Sequence, residues 1–244
     1  MTNSLTLYGL TTQKGTATNV SPYAWKTAVC LGLLGIPYTW EGKTFEEIRT
    51  TLEEESGISG ILVPAVNDEG TWVWDSLKIV RHFDKKGELF LDEGEARTIE
   101  EWADTKLRGV IAMLLIPWLY EAQDPASLEW FIKVKFGGDR AAVASMRDSL
   151  NEPAHVQHRL SAIREALEVI EERLKQSPFL SGVKPGYADA VVWGWYATSQ
   201  AIKVPGFNDS GKLTWRSPDL PHVRTWVDAI QKASGIELAL LPKE

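Results

Sequence analysis

The sequence is poor in cysteine and has neither a run of basic residues nor a long hydrophobic run. Its single cysteine, Cys30, cannot form an internal disulfide and leaves no Cys-x-x-Cys pair, which excludes a dithiol redox centre within the chain. The longest nearly apolar stretch, residues 109–119, is too short to cross a bilayer. Lys and Arg form no cluster, and the net charge of −7 disfavours a nucleic-acid surface. Residues 1–4 show no feature of a secretory signal, so a cytoplasmic protein is expected.

The first third of the sequence alternates between strand and helix patterns. Over residues 5–86 the order is βαβαββα, and the opening βαβ order favours a parallel strand pair. Apolar runs at 61–66 and 71–74 flank a turn containing Asp and Gly, which predicts a β-hairpin. Residues 53–60 are acidic and then rich in Gly and Ser, and they predict a mobile loop. These patterns predict an α/β domain over residues 1–87.

The rest of the sequence has only helical patterns. Residues 88–95 are acidic, contain Gly and predict a linker. Residues 96–115 have helical periodicity, which Pro117 is expected to end or kink. An apolar stripe in steps of four and three predicts a long amphipathic helix over 155–176. The sequence therefore predicts an α/β domain followed by an all-α domain over 96–244.

Ser21 and Pro22 have the pattern of a helix start. Ser is a favoured N-cap, and Pro suits the first helical position because no N–H is needed there. The first N–H groups of a helix carry partial positive charge and attract anions. A serine hydroxyl at this place can accept a backbone N–H and still donate its own proton to a bound group. An ordinary helix cap is the alternative interpretation.

Several short motifs in both predicted domains resemble those of the soluble glutathione transferases. They stand in the family order: Ser21-Pro22-Tyr23, Val63-Pro64, Asp75-Ser76 and Ala188-Asp189. The resemblance implies an N-terminal domain of the thioredoxin-like fold, glutathione as co-substrate, no metal cofactor, and a homodimer. In the Ala188-Asp189 motif, the Ser or Thr that usually caps the helix is replaced by Gly186. The resemblance implies that this motif acts in folding.

The resemblance also implies roles for individual residues. Pro64 is expected to follow a cis peptide bond, and the main chain of Val63 to pair with the cysteinyl backbone of glutathione. Asp75 and Ser76 would hold the γ-glutamyl end, although Asp75 could also be a plain helix cap. Lys43 would meet the glycyl carboxylate, although an exposed lysine is more often only solvated.

Within the superfamily, the segment from Ser21 to Thr27 is most similar to the etherase-related class, which comprises bacterial lignin β-etherases and their fungal relatives. Residues 70–76 and the Gly137-Gly138 break point to the same class. The class carries serine at the catalytic position, whereas thiol-transferase branches carry cysteine there. Because Ser21 cannot form a mixed disulfide, conjugation is favoured over thiol–disulfide exchange.

The chemistry expected of Ser21 is activation of the glutathione thiol. The thiolate is the attacking form, and a free thiol with a pKa of about 8.5 is mostly protonated at neutral pH. Tyr8, at the end of the first strand, is the alternative donor, whereas Tyr23, in the first turn of the helix, is expected to be a packing residue. His155 and His158 have no third ligand nearby, so no metal site is predicted.

Three functions are compatible with these motifs. The first is a glutathione transferase that attacks a hydrophobic aromatic electrophile, with cleavage of β-aryl ethers as the reaction of the etherase-related class. The second is a glutathione-dependent carrier of hydrophobic aromatic compounds. The third is a regulatory protein that keeps the fold without activity, which the intact motifs disfavour.

Overall fold

A computed structural model describes residues 5–149, 152–202 and 214–238. The N-terminal part contains one four-stranded sheet in the order β2-β1-β3-β4. The first two strands pair in parallel and the last two form an antiparallel hairpin, as predicted. The strands are β1 (Thr6–Leu10), β2 (Thr39–Lys43), β3 (Ala65–Asp68) and β4 (Thr71–Trp74).

Four helices pack against this sheet, namely α1 (Pro22–Leu33), α2 (Phe45–Arg49), α3 (Thr51–Ser56) and α4 (Ser76–Phe83). Side chains of β1 alternate between the two faces, so that Leu7 joins the large core with α1 and α4 while Tyr8 joins a smaller cluster with α2 and α3. The loop predicted at 53–60 is wrong in its first half, because α3 continues to Ser56. Leu52 is fully buried and anchors this helix, and Gly57 ends it with φ of 67°.

The remaining described chain is helical. It contains α5 (Glu93–Trp102), a π-helical turn (Ala103–Leu107), α6 (Arg108–Glu121), α7 (Pro125–Phe136), α8 (Arg140–Asp148), α9 (Pro153–Leu174), α10 (Tyr187–Ala201) and α11 (Pro221–Ser234). The predicted linker at 88–95 is shorter than expected, since α5 begins at Glu93. Asp92 caps that helix by accepting a hydrogen bond from the N–H of Glu95. No helix in the described ranges is long and apolar enough to cross a membrane.

Pro117 lies inside α6, so of the two outcomes expected for it, an end or a kink, the helix end is wrong. A proline within a helix removes the hydrogen bond to the carbonyl four residues earlier. Here that carbonyl belongs to Met113, and the guanidinium of Arg159 from α9 donates a hydrogen bond to it. The tertiary contact replaces the missing bond, and the helix continues to Glu121.

The central contact between the two parts is that of α1 with α10. Gly194 on α10 lies against the first turn of α1, where an added Cβ would be 2.3 Å from the carbonyl oxygen of Pro22. Cys30 is fully buried in this core, as expected of a small hydrophobe. Asp189, near the start of α10, accepts hydrogen bonds from backbone N–H groups at 180, 181 and 186 and from the indole of Trp226. The α/β domain followed by an all-helical domain is thus confirmed.

Candidate functional site

Two adjoining cavities lie between the α/β part and the helical part. A polar cavity of about 490 Å³ is bordered by α1, β4, the start of α4, α5 and the π-helical turn. A second, largely apolar cavity of about 460 Å³ is bordered by α1, α2, α6, α7 and α10. Both volumes are typical of small-molecule sites. Tyr23, Leu62 and Val63 line both cavities, so they mark the junction between them.

Ser21 is the N-cap of α1 and lines the apolar cavity. Its hydroxyl oxygen accepts a hydrogen bond from the N–H of Ala24 at 3.3 Å, while its own N–H donates to Oδ1 of Asn19 at 2.9 Å. Only 6% of the residue is exposed. Within the described chain no acceptor is found for the hydroxyl proton. The serine therefore caps the helix and keeps a donor that a bound anion could use.

Val63 and Pro64 lie where the chain enters β3. The peptide bond between them is cis, as the resemblance implies. The carbonyl of Pro64 accepts a hydrogen bond from the N–H of Asp75 at 3.2 Å, which ties this corner to the start of α4. Both residues line the polar cavity, and Val63 also borders the apolar one.

Asp75 and Ser76 begin α4 on the same side of the polar cavity. Asp75 has φ of 79°, which is uncommon for a residue other than glycine. Its carboxylate accepts hydrogen bonds from the N–H groups of Leu77 and Lys78 at 3.0 and 3.1 Å. Asp75 is therefore a helix cap, the alternative that the sequence left open, and it also lines the polar cavity beside Ser76.

Lys43 lines neither of these two cavities. It is 5% exposed, and its ammonium pairs with Glu41 at 2.8 Å and with Glu55 at 3.1 Å. Burial lowers the pKa of Lys43, but its hydrogen bonds to both carboxylates outweigh that effect and raise the pKa. Tyr8 packs under this ammonium and against the ring of Trp72, and it lines neither cavity. Burial raises the pKa of Tyr8.

Comparison with known proteins identifies the family to which this chain belongs. The model of the glutathione S-transferase N-terminal domain matches residues 20–86, and that of the C-terminal domain matches residues 153–229. The chain belongs to the glutathione S-transferase superfamily.

Solved structures of similar fold include fungal members of this superfamily. The glutathione S-transferase CsGST63524 of Ceriporiopsis subvermispora, in complex with glutathione, is 18% identical, with a TM-score of 0.73 over 99% of this chain and 100% of that one. The glutathione transferase GSTFuA3 of Phanerochaete chrysosporium is 15% identical, with a TM-score of 0.69 over 98% of this chain and 99% of that one. At these identities the likeness concerns the fold.

Three residues to which the sequence analysis gave no role form a largely buried group at the polar cavity. Lys26 of α1, 4% exposed, pairs with Glu100 of α5 at 2.6 Å and donates a hydrogen bond to the hydroxyl of Tyr187 at 3.1 Å. The Tyr187 hydroxyl in turn donates to Glu100 at 2.6 Å. No local pattern signals this group, because its members lie 74 or more residues apart in the chain.

Tyr23, which the sequence analysis named, forms a pair with Asp104, which it did not single out. The Tyr23 hydroxyl donates a hydrogen bond to Asp104 at 3.0 Å, and the ring meets Trp195 edge-on. Burial and the adjacent carboxylate raise the pKa of Tyr23 to about 12, while the guanidinium of Arg108 acts in the opposite direction. Asp104 lies in the π-helical turn, a feature often found at functional sites. Tyr23 is therefore protonated at neutral pH, and its hydroxyl proton is donated to Asp104.

The polar cavity contains charges of both signs. The carboxylates belong to Asp75, Glu100 and Asp104, and the ammonium groups to Lys26 and Lys78. A site with this charge distribution can accommodate a zwitterionic ligand, because each charge of the ligand finds a counter-charge or a helix N-terminus.

Proposed function

We propose that this protein activates the thiol of glutathione through Ser21 and delivers the thiolate to a hydrophobic aromatic electrophile. The observation that carries the proposal is the junction of the two cavities at Val63 and Tyr23, with Ser21 at the helix start on the apolar side. A peptide held in the polar cavity would extend its sulfur toward this junction, where the second substrate would meet it.

The proposed position of glutathione follows the residues of the polar cavity. The main chain of Val63, at the cis corner before β3, would pair with the cysteinyl backbone. Ser76 and the start of α4 would bind the γ-glutamyl carboxylate, and Asp75 would face the ammonium. Lys43 stays a prediction for the glycyl carboxylate, and in the structure its charge is already paired with Glu41 and Glu55. The C. subvermispora relative CsGST63524 was solved in complex with glutathione, which supports the choice of ligand.

A serine hydroxyl at a helix N-terminus can provide most of the free energy needed to lower the pKa of the glutathione thiol, without a second charged group. Lowering the thiol pKa by about two units requires about 2.7 kcal/mol of preferential stabilisation of the thiolate. A hydrogen bond to an anion contributes about 1.5–3 kcal/mol, and a helix N-terminus about 0.3–1 kcal/mol. Ser21, with the first turn of α1 behind it, can therefore supply most of the effect.

The apolar cavity supports an aromatic second substrate. Its walls include Trp130 and Trp195 together with aliphatic residues of α6. In the etherase-type reaction the thiolate attacks the carbon that bears a β-aryl ether, a C–S bond forms, the C–O bond breaks, and the electron pair leaves with the phenoxide. The products are a thioether and a phenol. A homodimer stays a prediction from the resemblance, and a cytoplasmic location stays a prediction from the sequence.

Ser21→Ala tests the role of the hydroxyl. The thiolate of bound glutathione absorbs in the ultraviolet, so its pKa is measured by titrating the absorbance of the binary complex. We expect the pKa to rise by at least one unit and turnover to fall about ten-fold or more, since about 1.4 kcal/mol corresponds to a factor of ten. Tyr8→Phe and Tyr23→Phe are the matched controls and should leave the thiol pKa unchanged. An unchanged pKa in Ser21→Ala would refute the assignment.

A glutathione-dependent carrier is the second candidate, and the volume of the apolar cavity favours it as well. One assay distinguishes a transferase from a carrier. A transferase forms a glutathione adduct with aryl ethers or haloaromatics, which mass spectrometry detects. A carrier binds the same compounds, seen as quenching of tryptophan fluorescence, and releases them unchanged.

A further inference from the structure

The charged residues that line the apolar cavity are all basic. They are Arg49 of α2, Arg108 at the start of α6 and Lys135 of α7. No carboxylate is among the lining residues, although the chain has more acidic than basic residues and a net charge of −7. The adjoining polar cavity is different, because Asp75, Glu100 and Asp104 all line it. The apolar cavity therefore presents only positive charges to a ligand, whereas the polar cavity presents charges of both signs.

Two of the three basic side chains are not neutralised by the protein. Within the described residues Arg108 and Lys135 have no ion pair, and both are exposed at the rim of the cavity. Arg49 is engaged, since its guanidinium donates to the carbonyl of Ile61 at 3.0 Å and lies over the ring of Trp130. Arg108 and Lys135 are thus the two basic residues of this cavity that no carboxylate of the described residues pairs with, and the guanidinium of Arg108 also faces the hydroxyl of Tyr23.

Thr198 provides an independent observation inside the same cavity. This residue of α10 is 4% exposed and lines the apolar cavity. Its hydroxyl has no hydrogen-bond partner in the described part of the chain. A buried hydroxyl without a partner is uncommon, because losing its hydrogen bonds to water is costly. A polar atom of a ligand would supply the missing partner.

We propose that the second ligand of this cavity is an aromatic molecule that carries an anionic oxygen group, such as a carboxylate or a sulfonate. The aromatic body packs against the apolar walls, the anionic group faces Arg108 and Lys135, and Thr198 contacts a polar atom of the body. The proposal deepens the proposed function, since it names the class of molecule that occupies the site of the electrophile. A charge-assisted contact at the rim adds selectivity to an otherwise apolar cavity.

A pair of fluorescent probes tests this inference without requiring turnover. 1-Anilinonaphthalene-8-sulfonate and N-phenyl-1-naphthylamine share the same aromatic body and differ in the sulfonate. We expect the wild-type protein to bind the sulfonate at least about ten-fold more tightly at low salt, and added salt to reduce the difference. Arg108→Gln and Lys135→Gln should each weaken binding of the sulfonate by about three- to ten-fold and change binding of the neutral probe less than about two-fold.

Lys106→Gln and Lys133→Gln are the matched controls. Lys106 lies in the π-helical turn just before Arg108, and Lys133 lies on α7 with Lys135; each substitution removes one positive charge, and neither residue lines this cavity. The controls should bind both probes as the wild type does. Equal affinity for the two probes, or equal losses in the controls, would overturn the inference.

Calorimetric titration of the wild-type protein with glutathione separates this inference from the proposed function. If glutathione binds but the probes are not distinguished, the inference fails and the proposed function stands. If the probes are distinguished but glutathione does not bind, the cavity selects anions and the proposed function fails.

Discussion

Substitution of Gly194 by alanine tests how the helical domain holds the start of α1. An added Cβ would lie 2.3 Å from the carbonyl oxygen of Pro22 and 3.2 Å from the N–H nitrogen of Lys26. The first distance is about 1 Å shorter than an ordinary contact. Both neighbours are backbone atoms, so no side chain can rotate away. The helices must separate, and the first turn of α1, which carries Ser21, must move.

The expected loss of stability is the difference between two effects. Alanine in place of glycine favours the helix by about 1 kcal/mol, whereas overpacking a well-packed contact costs about 1–3 kcal/mol and occasionally more. Because the clash at Gly194 is severe, we expect a net loss of about 1–3 kcal/mol in the free energy of unfolding. Urea denaturation followed by tryptophan fluorescence measures this value.

Two further glycines serve as controls. Gly109 lies in α6 with nothing within 4 Å of an added Cβ, so Gly109→Ala should stabilise the protein by about 0.5–1 kcal/mol. Gly32 lies near the other end of α1, where a Cβ would be 2.2 Å from the carbonyl oxygen of Ser234. Gly32→Ala should therefore be destabilising without altering the thiol pKa of bound glutathione, whereas Gly194→Ala should change both. Wild-type stability in Gly194→Ala would refute the packing argument.

Two other substitutions test buried charges. Glu100→Gln leaves the ammonium of Lys26 without its counter-charge, and it should lower the free energy of unfolding by about 2–4 kcal/mol in urea denaturation. The control Glu101→Gln changes an exposed neighbour and should have little effect. Equal effects of the two substitutions would contradict the ion-pair argument. Burial raises the pKa of Glu171, but hydrogen bonds from the N–H groups of Val223 and His222 at the start of α11 outweigh this and lower it. The ionised carboxylate of Glu171 therefore stabilises the folded protein above about pH 4.5, and this stabilisation is lost as the pH falls through the lowered pKa. Glu171→Gln should flatten the pH dependence of the free energy of unfolding below about pH 4.5. A parallel pH profile for the variant and the wild type would contradict this prediction.

Local patterns predicted most of the elements because each depends on neighbours within a few residues. The Ser21-Pro22 cap, the hairpin and the long stripe of α9 are of this kind, and the structure contains all three. The predictions failed where a distant contact decided the outcome. Pro117 does not end α6 because Arg159, 42 residues later, satisfies the carbonyl that the proline leaves free.

The sequence by itself determined that helices start at Ser21 and at Asp75-Ser76 and that Val63-Pro64 forms a corner, because each of these motifs is short and contiguous. Only the tertiary structure decided which charges line each cavity. Lys43, expected at the site, is paired with glutamates from its own domain, whereas Lys26, which had no predicted role, and Arg108, which no motif indicates, border the cavities. The reason is physical. The exposure and pairing of a charged side chain depend on which elements pack beside it, and helices distant in the sequence supply those neighbours.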